Sequence, residues 1–178
     1  LVFHAAAVGA ARGLTGADSP AWPAAIVAWL LFFHLRVFDE HKDFEADRLA
    51  YPQRVLSRGL VTLPLLARLG AAAIVAEAAL AAWLGGQALL AWLAAFAFSV
   101  AMRFEFGVGG WLRDRLVLYA LTHNPVVGLL TLFLWRATAA PWHPGLVWLI
   151  ALASFGSLGF ELGRKIRLPQ EEHAGVPS

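Results

Sequence analysis

Long apolar stretches recur along this sequence, and they constrain its fold more than any other feature. A helix needs about 20 consecutive apolar residues to cross the hydrocarbon core of a bilayer, which is about 30 Å thick. Five stretches approach or reach this length, and a sixth, at the start, is shorter. They are residues 22–38, 60–84, 88–102, 116–135 and 145–163, with the shorter one at 1–11. The sequence therefore predicts an all-α, polytopic bundle of transmembrane helices.

Composition excludes several other classes of protein. Of the 178 residues, 60% are hydrophobic and 15% are charged, against about 45–50% and 25% in soluble domains. These values exclude an ordinary soluble domain and a disordered chain. The absence of cysteine excludes disulfides, thiolate metal sites and cysteine nucleophiles. A net charge of only +2 argues against a nucleic-acid partner.

We expect residues 1–178 to form a single transmembrane domain. The sequence begins at Leu1 without a methionine and ends at Ser178 directly after a charged segment. The first apolar stretch is also too short for a complete span. We therefore interpret the sequence as a piece of a longer protein.

Lysine and arginine concentrate at every second loop. Eleven of the 14 basic residues flank three polar loops, and the connections between these loops carry little charge. The eleven are Arg36, Lys42, Arg48, Arg54 and Arg58, then Arg103, Arg113 and Arg115, then Arg164, Lys165 and Arg167. Because basic loops stay on the cytoplasmic side, this pattern predicts an integral protein of a bacterial plasma membrane whose polar loops are cytoplasmic.

The densest charge follows the first full span, where residues 39–47 hold five of the chain's 12 acids. Asp39, Asp43 and Asp47 recur every four residues, so on a helix they lie within an arc of about 80° and about 6 Å apart along the axis. Three such charges repel at a membrane boundary unless a cation offsets them. Carboxylates of this kind suit magnesium bound to a phosphate-bearing substrate. The alternative is a solvated helix whose acids pair with nearby lysine and arginine.

This cluster resembles a known motif. Asp39-Glu40-x-x-Asp43-x-x-x-Asp47 resembles the first aspartate-rich motif, N/D-D-x-x-D-x-x-x-D, of the UbiA superfamily of intramembrane prenyltransferases, which includes the 4-hydroxybenzoate polyprenyltransferases. Residues 54–59 resemble the R-P-L-x-x-G stretch that follows it, with valine in the place of proline. Residues 112–115 resemble the basic L-K-R element of the next cytoplasmic loop. Residues 161–176 lie where the second acidic motif is expected, with glutamates in place of its aspartates.

The resemblance implies a fold and a set of site residues. The family usually has nine transmembrane helices, of which this chain would supply five or six. The implied magnesium ligands are Asp39, Glu40, Asp43, Asp47, Glu161, Glu171 and Glu172. The implied diphosphate-binding residues are Lys42, Arg54, Arg113, Arg164 and Lys165. The implied catalytic residues are Asp39, Asp43, Asp47 and Arg54. The expected activity is magnesium-dependent transfer of a prenyl group from an isoprenoid diphosphate to an unidentified acceptor.

Other polar residues lie within the predicted spans. Glu77 is mid-span, where an ionisable group is a functional candidate, although it can also be protonated or paired with Arg68. His34 precedes the acidic cluster and can face the same polar region. Pro125 is expected to interrupt its span. Three glycines at 156, 159 and 163 have a spacing that suits close packing against a neighbouring helix.

Three other functions are compatible with parts of the sequence. A transporter or channel would use the buried charges but would not explain the acidic cluster. An inactive relative of the prenyltransferases would explain the altered second motif. A CDP-alcohol phosphotransferase also uses aspartates and a metal at a helix end, but its D-G pair and A-R element do not occur near residues 39–59.

Overall fold

Eight α-helices and one 3-10 turn account for most of the residues that the computed structural model describes, which are 2–17 and 22–165. The α-helices are α1 Val2–Thr15, α2 Trp22–Ala50, α3 Leu63–Trp83, α4 Gly86–Arg103, α5 Gly109–Arg113, α6 Leu116–His123, α7 Pro125–Arg136 and α8 Pro144–Lys165. The 3-10 turn is Glu105–Gly107. No strand occurs in these ranges, which agrees with the predicted all-α class.

Five segments are long and apolar enough to cross a membrane. They are Trp22–Ala50, Leu63–Trp83, Gly86–Arg103, Leu116–Arg136 and Pro144–Gly163. Each overlaps one of the five predicted stretches, so the predicted number of complete spans is confirmed. The remaining apolar helix, α1, has 14 residues and is too short to be one.

Helix α2 is longer than the span predicted from its apolar residues. It continues without a break through the acidic cluster and ends at Ala50. Its 29 residues correspond to about 43 Å, which exceeds the thickness of the hydrocarbon core. The apolar segment and the acidic cluster are therefore parts of one helix, and their side chains have a fixed angular relation.

Small residues allow the helices to approach one another. The buried face of α4 carries Ala88, Ala91 and Ala95, a spacing that places one side of the helix against its neighbours. At the contact between α2 and α3, a Cβ atom on Gly70 would lie 3.0 Å from Cγ1 of Val37. In lipid the hydrophobic effect does not drive helix association, so close van der Waals packing of this kind is the main source of stability.

Three contacts show which helix ends lie together. His34 of α2 contacts Ser99 of α4, and Lys42 of α2 contacts Tyr119 of α6. The side-chain amide of Asn124 donates a hydrogen bond of 3.0 Å to a backbone oxygen of α8. The C-terminal parts of α2, α4 and α8 therefore lie on the same side of the bundle as the start of α6. We call this side the acidic face.

The span Leu116–Arg136 is interrupted where the sequence predicts it. Helix α6 ends at His123 and α7 begins at Pro125. Proline is tolerated at this first position because it lacks only an amide hydrogen that would have no helical partner. The prediction of an interruption at Pro125 is confirmed.

The outer face of α8 carries large apolar side chains that the described residues do not cover. Trp148, Leu152, Phe155 and Phe160 are all exposed. The predicted close packing through the glycines at 156, 159 and 163 is not present among the described residues, since a Cβ atom at any of them would meet nothing within 4 Å. The spacing predicted a small-residue face, but the neighbouring helices pack elsewhere on α8.

Candidate functional site

Most acids of the cluster have basic partners on the same or the next segment. Three ion pairs join Arg36 to Glu40, Arg48 to Glu45, and Arg54 to Asp47. This pairing agrees in part with the alternative of a solvated helix with paired acids. The unbroken helix keeps Asp39, Asp43 and Asp47 within the predicted arc of about 80°.

Lys42 joins the acidic cluster to two other elements. Its ammonium group donates a hydrogen bond of 2.8 Å to the hydroxyl of Tyr119. The same nitrogen lies 3.6 Å from Oδ1 of Asp39 and 3.8 Å from Oε1 of Glu105. The side chains of Lys42 and Glu105 are only 10% and 6% exposed, whereas that of Asp39 is 52% exposed. The mostly buried ammonium group of Lys42 therefore lies next to the accessible carboxylate of Asp39.

Glu105 reaches Lys42 from a turn with an unusual backbone. Glu105, Phe106 and Gly107 have φ angles of 49°, 54° and 76°. Left-handed conformations cost roughly 1–3 kcal/mol at non-glycine residues and persist only where surrounding contacts enforce them. Gly109 leaves room for the side chain of Glu105, because a Cβ atom there would lie 1.9 Å from Oε2 of Glu105 and the carboxylate would have to move. Neither Glu105 nor Tyr119 was predicted as a site residue.

A cavity of about 250 Å³ opens beside Asp39, and we call it the mouth cavity. Its polar lining includes two arginines, and the guanidinium carbon of Arg103 lies 5.1 Å from the centre of the Phe38 ring. The lining residues are Phe32, Leu35, Arg36, Phe38, Asp39, Ser99, Met102 and Arg103. The mouth cavity thus combines the side chains of one aspartate and two arginines with apolar walls.

A second cavity, of about 330 Å³, lies between α1, α2, α7 and α8, and we call it the apolar cavity. Phe32 and Leu35 line both this cavity and the mouth cavity, so the two are neighbours. The other residues that line it are Phe3, Leu31, Val126, Val127, Leu130, Leu152, Ala153, Gly156 and Ser157. The apolar cavity and the mouth cavity therefore share the wall that Phe32 and Leu35 form.

A third cavity, of about 460 Å³, lies on another side of α2. Its polar lining residues are Arg36, Glu40, Gln53 and Arg54. Glu40 and Asp39 therefore border different cavities, although the sequence predicts both as ligands of the same ion.

Four polar side chains form a buried cluster within the bundle. Nδ1 of His34 lies 2.7 Å from Oε1 of Glu77, and Nε2 lies 3.1 Å from the hydroxyl of Ser99. The indole nitrogen of Trp92 donates a hydrogen bond of 2.9 Å to Oε2 of Glu77. His34, Glu77 and Ser99 are fully buried. We call these four residues the buried polar cluster.

The cluster corrects one predicted partner and reveals two residues that the sequence analysis missed. Glu77 pairs with His34 and Trp92, whereas Arg68 is exposed. His34 faces this cluster and not the acidic cluster itself. Ser99 and Trp92 were not predicted, because serine and tryptophan are common within membrane spans and carry no signal of their own.

The carboxylate of Asp39 at the mouth cavity has the chemistry to hold magnesium together with a second carboxylate from the next turn of α2. Within the described residues no group of three or more His, Asp or Glu side chains could hold a metal ion. Magnesium, however, commonly takes only one or two protein carboxylates and completes its shell with phosphate oxygens and water. Asp39 borders the cavity and Asp43 follows it by about one helical turn. These two residues fit a magnesium ion that is bound together with a phosphate.

The remaining predicted site residues fall into three groups. Glu161 is half-buried near the end of α8, on the acidic face. Arg113, Arg164 and Lys165 lie in helices, but their side-chain positions are not described. The predicted ligands Glu171 and Glu172 lie outside the described residues.

The site combines a carboxylate, several cations and a neighbouring apolar space at one end of a helical bundle. This arrangement can bind an amphiphilic anion, with its charge among Asp39, Arg36 and Arg103 and its apolar part beyond Phe32. In comparisons with models of known families, with curated proteins and with solved structures, nothing matches this chain.

Proposed function

We propose that the chain is part of an integral membrane prenyltransferase that moves a prenyl group from an isoprenoid diphosphate to a small acceptor. The observation that carries this proposal is the meeting of the mouth cavity and the apolar cavity at Phe32 and Leu35. An isoprenoid diphosphate has a polyanionic head and an apolar tail, and its two parts match the two cavities in order.

The head of the substrate would lie at the mouth cavity. Guanidinium groups bind phosphate oxygens in bidentate fashion, and Arg36 and Arg103 line this cavity. Lys42 lies beside Asp39 and adds a third positive charge. Asp39 and Asp43 would hold magnesium, which when bound neutralises charge on the departing diphosphate.

The tail of the substrate would lie in the apolar cavity. Aliphatic and aromatic side chains from four helices line this space, which is open on one side, where Phe32 and Leu152 are exposed. A water-poor environment protects the allylic carbocation-like centre that forms when the diphosphate leaves. In a bilayer these walls, together with the lipid on the open side, would keep the tail from water.

The proposal extends to family and orientation. The aspartate-rich motif on α2 supports membership of the UbiA superfamily, and the basic residues of the polar loops support a cytoplasmic position for the acidic face. Arg54, Arg113, Arg164 and Lys165 are proposed as further contacts of the diphosphate. The acceptor is a small molecule that the sequence does not identify.

The test uses the protein in lipid nanodiscs with radiolabelled isoprenoid diphosphates of several chain lengths and a panel of aromatic and hydroxyl acceptors. We expect magnesium-dependent transfer of label to at least one acceptor. Asp39→Asn is expected to lose this activity, and Asp114→Asn, which changes an exposed acid of another polar loop, to keep it. Absence of both transfer and diphosphate release for every pair, with and without magnesium, would overturn the proposal.

A proton-coupled transporter is the second candidate. The observation that favours it is the pair of buried ionisable residues, His34 and Glu77, since such groups within membrane spans often belong to proton pathways. Proteoliposomes with an internal pH indicator distinguish the two functions. A proton-coupled transporter changes the internal pH when a substrate gradient is applied, whereas a prenyltransferase does not.

A further inference from the structure

The buried polar cluster forms a chain of hydrogen bonds across three helices. The chain runs from Ser99 on α4 through His34 on α2 to Glu77 on α3, with contacts of 3.1 and 2.7 Å. The rings of Phe38 and Phe96 lie 5.2 and 6.1 Å from the imidazole of His34. An ordered polar chain is thus enclosed by aromatic side chains.

The hydroxyl of Ser99 has two possible partners, and this permits two states of His34. The oxygen lies 2.7 Å from the backbone oxygen of Phe96 as well as 3.1 Å from Nε2 of His34. When Nε2 carries no proton, the hydroxyl donates to it. When Nε2 carries a proton, the imidazole donates to the hydroxyl oxygen, which donates in turn to the Phe96 carbonyl. Both states satisfy every hydrogen bond without movement of heavy atoms.

The carboxylate of Glu77 holds the imidazole of His34 with Nε2 directed at Ser99. It accepts from Nδ1 of His34 on one oxygen and from the indole of Trp92 on the other. A histidine whose Nδ1 donates to a carboxylate presents an unprotonated Nε2 and is stabilised once it becomes imidazolium. Glu77 is therefore a positioning residue for His34.

Ser99 connects these hydrogen-bonded residues to the mouth cavity. It is fully buried, yet it lines the same cavity as Asp39. Ser99 therefore forms part of the wall between that cavity and His34, whose Nε2 lies 3.1 Å from the Ser99 hydroxyl. The cluster is therefore placed to exchange a proton with a bound substrate.

We infer that Ser99, His34 and Glu77 form a relay that accepts the proton released by the acceptor of the proposed prenyl transfer. The inference rests on that proposed function. The C–O bond of the diphosphate ester breaks and its electron pair leaves with the diphosphate, while the acceptor atom forms the new bond to the prenyl carbon. The acceptor's proton passes to the Ser99 oxygen as the Ser99 proton passes to Nε2 of His34. The acceptor is thus a molecule whose nucleophilic atom carries a removable proton, such as a hydroxyl compound or an activated aromatic ring.

Glu77→Gln is expected to prevent proton uptake by His34 while leaving the fold intact. The glutamine amide can donate to Nδ1 of His34 while its oxygen accepts from Trp92, so every hydrogen bond is kept. This arrangement forces the tautomer with a proton on Nε2, which cannot accept another from Ser99. We expect kcat to fall about 100-fold or more, in line with the loss of a general base, and KM for the diphosphate to change by less than about twofold.

Ser99→Ala supplies an independent variant. It removes the hydroxyl that links His34 to the cavity, and Ser99→Thr restores a hydroxyl at the same position. Thr131→Ala is a matched control, since Thr131 is also fully buried and its hydroxyl donates to the backbone oxygen of Val127 in its own helix, at 2.8 Å. We expect kcat to fall in Ser99→Ala, to recover at least partly in Ser99→Thr, and to stay within about twofold of wild type in the control.

A second readout follows the imidazole directly. Protein labelled with ¹⁵N-histidine is titrated with acid in nanodiscs, with the His34 signals assigned by their loss in His34→Gln. The charged groups near His34 are Glu77 on α3, Arg103 on α4, and Arg36 and Asp39 on α2. We expect Nε2 to gain a proton during the titration in the wild type and to be protonated throughout in Glu77→Gln.

The outcomes separate this inference from the proposed function. If the wild type transfers no prenyl group to any acceptor, the proposed function fails and the relay fails with it as a part of that reaction, whatever the titration shows. If the wild type is active but Glu77→Gln and Ser99→Ala keep their kcat, only the relay is overturned. A wild-type Nε2 that stays protonated throughout the titration also overturns the relay, even where the transfer reaction is intact.

Discussion

Replacing Glu77 with leucine tests how much stability the buried polar cluster contributes. Leucine has a volume close to that of glutamate, so the change opens no large cavity. It does remove the acceptor of the Trp92 indole and the partner of Nδ1 of His34. His34 cannot escape by changing its tautomer, because Nδ1 is left without a partner either as a donor or as an acceptor.

The magnitude follows from these two lost contacts. A buried polar group left without a partner costs about 1–3 kcal/mol, while hydrogen bonds measured within membrane proteins average about 0.6 kcal/mol. We therefore expect Glu77→Leu to lower the free energy of unfolding by about 2–4 kcal/mol. For a chain of this size each kcal/mol corresponds to about 2–4 °C, so Tm falls by roughly 5–15 °C. Glu77→Gln keeps both contacts and is expected to lose less than about 1 kcal/mol.

The assay is thermal unfolding in detergent micelles followed by tryptophan fluorescence, with SDS titration as a second measure of unfolding free energy. Val75→Leu on the same helix is the control, because Val75 is 69% exposed. It is expected to shift the free energy of unfolding by less than about 0.5 kcal/mol. Equal losses in Glu77→Leu and Glu77→Gln would refute the hydrogen-bond reasoning, and so would a Glu77→Leu variant as stable as the control.

Three further predictions concern the site and the packing. Asp43→Asn is expected to lower the rate of prenyl transfer about 100-fold or more while the protein still folds. EDTA is expected to abolish transfer by the wild type. If both experiments leave activity at the wild-type level, the proposed role of magnesium is wrong. Gly109→Ala is expected to displace the buried acid of the 3-10 turn and expose this loop to limited proteolysis, whereas Gly110→Ala, whose Cβ would meet nothing within 4 Å, is expected to leave the cleavage pattern unchanged. Gly70→Ala is expected to lower Tm by a few degrees because its Cβ would press on a valine methyl of α2 at 3.0 Å, and Gly156→Ala, which faces open space, is expected to lower it by less.

The spans were predictable because a span depends on local composition. An apolar stretch of sufficient length forms a helix in lipid whatever surrounds it, since its backbone groups have no other partners. The break at Pro125 was predictable for the same reason, because proline acts on its own helix.

The partner of Glu77 was not predictable, because it depends on how three helices are rotated against one another. The sequence offered Arg68 as the nearest basic residue on the same helix. At about 100° per residue, however, the nine positions between Arg68 and Glu77 place them on opposite sides of α3, about 180° apart. The partner of Glu77 is instead His34, which lies 43 positions away in the sequence.

The contact between Glu105 and Lys42 escaped prediction for a different reason. Two adjacent non-glycine residues with positive φ angles, Glu105 and Phe106, are uncommon, and no residue preference indicates them. The turn forms because the buried ion pair and the space left by Gly109 together favour it over the ordinary backbone conformations.

The unbroken course of α2 has a consequence for how this region can change in evolution. His34 and Asp39 belong to two different groups of contacts, yet one rigid helix sets the angle and the distance between them. Inserting or deleting a single residue at 35–38 would rotate one relative to the other by about 100° and shift it by about 1.5 Å along the axis. Side chains in this interval can be exchanged one at a time, but a change in its length would separate the contacts of His34 from those of Asp39.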